Sequence, residues 1–134
     1  MQVIIFTNEN GGVSVTMPTG EISIEAVKAK DTPTGSIIVD YESLPTNDND
    51  FFDAWELSGT TVSVSISKAK EMTKKRLRTE REPLLAAQDV LFQRALETSA
   101  DTTAIVAEKQ RLRDITDQVD SATTTAQLRV MTVN

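Results

Sequence analysis

The feature that constrains this chain most is a change of hydrophobic period at Ser67. Before it, Val13, Val15 and Met17 alternate with polar residues, and so do Val62, Val64 and Ile66. That is the period of a half-buried strand. From Lys68 onward the residues are helix formers. Leu77, Leu84 and Leu91 fall seven apart, and Ala87, Ala95 and Leu96 widen the stripe. This is the pattern of an amphipathic helix. The switch predicts an α+β protein, with a β-rich head over residues 1–66 and a helical hairpin with a short terminal helix over 67–134.

Within the head, residues 2–7 read as a strand. Asn8 to Gly12 is a turn, because Asn and Gly accept positive φ, and a second strand completes a hairpin. Residues 22–30 predict a short helix capped by Ser23. A loop follows at 31–35 and a strand at 36–40. Residues 44–50 (LPTNDND) read as a polar loop, and 51–57 (FFDAWEL) as an irregular helical turn. Ser58-Gly59-Thr60 turns the chain into the last strand.

In the second half, Ser67 is the expected cap of the long helix, with Ile66 stapling its first turn. Pro83 lacks an N–H and clashes with the preceding turn, which predicts a kink or break near Glu82. Residues 98–103 are a short connector. Ile105, Lys109, Leu112, Thr116 and Val119 then mark a second helix, and the short link predicts an antiparallel pair. Thr124 and Gln127 match a capping box ahead of Leu128 and Met131.

The 134 residues include no cysteine and no histidine. Disulfides, thiolate nucleophiles and cysteine-held zinc are therefore excluded, as is Ser-His-Asp chemistry within the chain. A carboxylate pair, a lysine or a hard-cation site remains. No spacing singles out two carboxylates, and Gly11-Gly12 sits in a hairpin turn rather than before a helix. The expectation is a protein that is not an enzyme and carries no cofactor. MQVIIFTNEN lacks the basic start of a signal peptide. No run approaches the ~20 apolar residues that span a bilayer, so a soluble protein with no membrane partner is expected.

Charge is unevenly spread. Residues 1–66 hold two basic and ten acidic side chains, whereas 67–134 hold twelve basic and ten acidic. Lys68, Lys70, Lys74, Lys75, Arg76, Arg78 and Arg81 form a basic run that could meet nucleic acid phosphates. The acidity of the whole chain and the lack of interleaved aromatics argue against that and favour a solvated, ion-paired helix face. Asp48, Asp50 and Asp53 form an oxygen-rich cluster of the kind calcium uses. It lacks the glycine and the distal glutamate of an EF-hand, so a polar turn is the better reading. Phe51, Phe52 and Trp55 are read as core at the open side of a small sheet rather than as a recognition patch.

The segments QVIIFTNENGGVSVTMPTGE, FFDAWELSGTTVSV, RTEREPLLAAQDVLFQRALE and EKQRLRDITD together resemble small proteins encoded among phage tail genes. The strongest pieces are Arg81-Glu82-Pro83-Leu84-Leu85, the stretch from Asp89 to Leu96, and Lys109 to Asp117. The resemblance spans nearly the whole chain and is to tail-fibre assembly or tail-assembly chaperone proteins. It implies a protein partner, a tail fibre or another tail component, met in the host cytoplasm during assembly. It brings no catalytic motif. The alternative it leaves open is a stoichiometric virion component, a tail or neck connector. An apolar stripe on a short hairpin must pack on the head, on a second copy, or on a partner. The expected contact surface is centred on Leu77, Leu84, Leu85, Leu91 and Leu112.

Overall fold

The computed structural model describes residues 1–134. The protein is α+β, 56% helical and 16% strand. It divides into two compact units, Met1–Ala69 and Lys70–Asn134, with the division inside the first turn of the long helix.

The first unit is built around strand β1 (Gln2–Thr7), the centre of an antiparallel sheet. Its neighbours are β2 (Val13–Thr16), with Ile5 opposite Val15, and β3 (Ile37–Asp40), with Ile4 opposite Ile38. The β1–β2 turn is held by Asn8. Its Oδ1 accepts from the N–H groups of Asn10 (3.0 Å) and Gly12 (3.1 Å), while Gly11 takes φ +79°. Val3, Ile4 and Ile5 are fully buried because a central strand covered on both faces has no solvent side. Val3 and Ile5 join Val13, Leu44, Trp55 and Val62 in one cluster. Helix α1 (Ile24–Asp31) lies along β1 and buries Val27. Ser23 caps it as expected, its Oγ accepting from the Ala26 N–H at 3.2 Å.

The segment from 41 to 58 departs from the sequence reading. Residues 44–50 are not an open loop, and FFDAWEL is not a helical turn throughout. Short 3-10 stretches occupy Tyr41–Ser43 and Thr46–Ala54. Strand β4 (Trp55–Ser58) then pairs with β5 (Thr61–Val64) around Gly59. Trp55, Glu56, Leu57 and Ser58 already alternate in polarity, but the run of aromatics before them masks the two-residue period. Trp55 fixes the junction. Its ring is 2% exposed in the core, and its Nε1–H donates to the Asp48 carbonyl at 3.2 Å.

The second unit is helical. Helix α2 (Ile66–Glu97) starts two residues earlier than expected, because Ser65 rather than Ser67 caps it: the Lys68 N–H donates to Ser65 Oγ at 3.3 Å. It runs unbroken through Pro83, so the break expected near Glu82 is absent. Helix α3 (Thr103–Arg113) explains why. Arg81, before the proline, donates to the carbonyls of Leu112 (3.2 Å) and Arg113 (2.6 Å). Asp89, after it, pairs with Lys109 at 2.7 Å. Both sides of Pro83 are thus tied to one helix, and a break would lose one set of contacts. The pairings also run in opposite senses, the later α2 residue Asp89 meeting the earlier α3 residue Lys109, which is the antiparallel arrangement. The second helix is shorter than its periodicity implied. It stops at Arg113, and the spacing continues in a 3-10 stretch, Ile115–Ser121. Helix α4 (Thr125–Arg129) carries the expected capping box from Thr124 and Gln127. Leu77, Leu112, Val119, Leu128 and Val133 form the buried interior of this unit.

Candidate binding surface

The basic run at the start of α2 is used mostly inside the protein. In the first unit, Lys68 pairs with Glu56 at 2.9 Å. In the second, Lys70 donates to the Asp120 carbonyl (3.0 Å) and Lys74 pairs with the Asp120 carboxylate (2.8 Å). Arg76 bridges Glu80 (3.0 Å) and the Leu128 carbonyl (3.2 Å). Arg81 donates to the last carbonyls of α3, at the end where a helix leaves acceptors short of partners. Arg111 holds Glu108 (2.7 Å) and reaches the Val133 carbonyl (2.9 Å). These contacts anchor the C-terminal segment to α2 and α3. The hydrogen bond to Lys74 lowers the Asp120 pKa, and the same bond raises that of Lys74. Arg111 lowers the Glu108 pKa, and the hydroxyl and N–H of Thr103 lower that of Asp101.

The acidic segment at 48–53 is part of the first unit's frame, since the Asp48 carbonyl receives the Trp55 indole. No three carboxylates gather there or elsewhere. Phe51 and Trp55 are core residues. Phe52, 38% exposed, rests on the Trp55 ring with centroids 4.9 Å apart.

The leucines of the helical half do not share one face. Leu77 (0%) and Leu112 (1%) are buried, Leu85 is half-buried, and Leu84 (38%) and Leu91 (44%) are exposed. The expected common interface of Leu84, Leu91 and Leu112 is therefore absent. The inward row of α2 is instead Ala69, Thr73, Leu77, Arg81, Leu85, Gln88, Phe92 and Ala95, all buried or half-buried. Its steps of four and three follow the true helical period. A strict seven-residue repeat drifts about 20° per heptad on a straight helix. The leucines at 84 and 91 consequently rotate away from the row that Leu77 belongs to. Polar Arg81 and Gln88 sit in that row, which is why an apolar pattern could not locate it. Lys109 contributes its stem and places its ammonium 5.0 Å from the Phe92 ring centroid.

The rotation leaves an uncovered apolar stripe along α2: Pro83, Leu84, Ala87, Val90 and Leu91, all exposed. Val90 is half exposed (50%) and was not marked by the sequence, where it falls outside the leucine repeat. On another side of the helix an open groove of about 430 Å³ is lined by Arg78, Arg81, Glu82, Leu85, Ala86 and Asp89. Its charges are of both signs, and Arg81 and Asp89 are already engaged with α3. No helix is long and apolar enough to cross a membrane. Comparison with family models, with curated proteins and with solved structures gave no match.

Proposed function

We propose that this protein is a non-enzymatic assembly factor for a phage tail or tail fibre, and that it binds a structural protein of the particle through α2. The observation that carries the reading is the uncovered stripe on that helix. Leu84, Val90 and Leu91 are each more than a third exposed and fall together on one side of the helix. Contiguous apolar surface of this kind marks interaction sites. The resemblance of Arg81 to Leu96 and Lys109 to Asp117 to tail-assembly proteins supplies the class of partner. Of the five residues expected at the contact, Leu84 and Leu91 are exposed on the stripe, and Leu85 is half-buried in the inward row. Leu77 and Leu112 are buried and are not part of that surface. The absence of histidine and cysteine fits binding without chemistry.

Co-expression with a phage tail fibre is the test. The expected result is that the fibre folds and trimerises only when this protein is present, and that the protein is missing from purified particles. Its presence there at fixed copy number, found by mass spectrometry, would make it a virion component, a tail or neck connector.

A further inference from the structure

The uncovered stripe on α2 reads the same from either end. Counted outward from Ala87, three residues in each direction give Leu84 and Val90, four give Pro83 and Leu91, and seven give Glu80 and Arg94. All of these lie on one side of the helix, since steps of three, four and seven keep residues on a common face. We propose that a second copy of this chain covers the stripe, antiparallel, with the two-fold axis at Ala87.

In that arrangement each Leu84 meets the other copy's Val90, and each Pro83 its Leu91. Alanine on the axis lets the two backbones approach closely. The flanking charges decide between a second copy and an unspecified apolar partner. Each Glu80 faces an Arg94, twice over, and no like charges are opposed along the stripe. The two side chains are available for this. Arg94 forms no ion pair within the chain, and Glu80 contacts Arg76 through one carboxylate oxygen, at 3.0 Å. A two-fold interface must be self-complementary in this way. The strip from Glu80 to Arg94 is about 21 Å long at 1.5 Å per residue. That is a small interface, so the association is weak and concentration-dependent. The dimer and a tail protein would compete for Leu84 and Leu91, and the dimer would shield the stripe until a partner arrives.

Sedimentation equilibrium of the isolated full chain tests this up to about 1 mM protein. The expected mass rises from 14.7 kDa toward twice that value with concentration. Glu80→Arg alone, or Arg94→Glu alone, opposes like charges and should weaken association about tenfold or more. The double variant E80R/R94E should restore it to near the unmodified level. Circular dichroism confirms that each variant keeps its helix. Should loss of the Arg76 contact disturb Glu80→Arg, Ala87→Glu breaks the dimer independently by placing two carboxylates on the axis. A monomer at every concentration overturns the proposal. So does a dimer that ignores the single reversals, or one that the double variant fails to restore. No tail protein enters these measurements, so their failure and a failure of the assembly-factor reading are separable.

Discussion

Leu77 and Leu91 occupy the same nominal heptad position and have opposite fates, 0% and 44% exposed. The difference sets what each contributes. Leu77→Ala empties a closed site in the second unit and should cost about 2 to 5 kcal/mol. Leu91→Ala removes surface atoms and should change stability by no more than about 0.5 kcal/mol. Urea denaturation of both variants, compared through the unfolding midpoint, checks the pair. Equal costs would mean that Leu91 is covered in the folded protein. Single residues also show what the sequence made readable. Ser23 and the Thr124–Gln127 box could be located because their caps depend on neighbours three positions away. Trp55 could not be assigned to a strand, because its place depends on Val64 across a hairpin and on the Asp48 carbonyl.

Among the elements, α2 is where local rule and tertiary packing disagree. Proline at position 83 should interrupt a helix, yet α3 holds the chain on both sides of it, through Arg81 and Asp89. Pro83 is exposed and its ring fills no core. Pro83→Ala should therefore restore a backbone hydrogen bond and raise stability by about 1 to 3 kcal/mol, without changing helix content. A loss of stability would show that the proline has a packing role. The period-two strands and the helical stretch were legible because each follows its own hydrophobic repeat. The inward row of α2 was not, because Arg81 and Gln88 interrupt it and the leucine repeat runs past it. The join of the C-terminal segment to α2 has a pH signature. The folded pKa of Asp120 is lowered by its bond to Lys74, and that of Glu108 by Arg111. Their stabilisation is complete above the unfolded carboxyl pKa of about 4 and is lost as pH falls through the folded values. Lys74 is raised, so its share is present below its ordinary 10.5 and lost as pH climbs through the folded value. The melting temperature should fall modestly between about pH 5 and 3, these groups being exposed. Asp120→Asn should flatten that fall. An unchanged slope would mean that the Lys74 pair is not formed in solution.

At the scale of the whole molecule, two compact units divide the chain inside one helix. The first has a sheet core with Trp55 at its junction. The second uses Lys70, Lys74, Arg76 and Arg111 to fasten its own C-terminal segment. The stripe of exposed Leu84, Val90 and Leu91 is the surface proposed to bind. Capture of a phage tail fibre by this protein and by Leu84→Asp/Leu91→Asp is the measurement for that proposal. Circular dichroism and the urea midpoint should match between the two proteins. The expected result is that the fibre co-purifies with the unmodified protein and is lost from the folded double variant. Equal capture by both, or a fibre that folds and trimerises alone and never co-purifies, would contradict it.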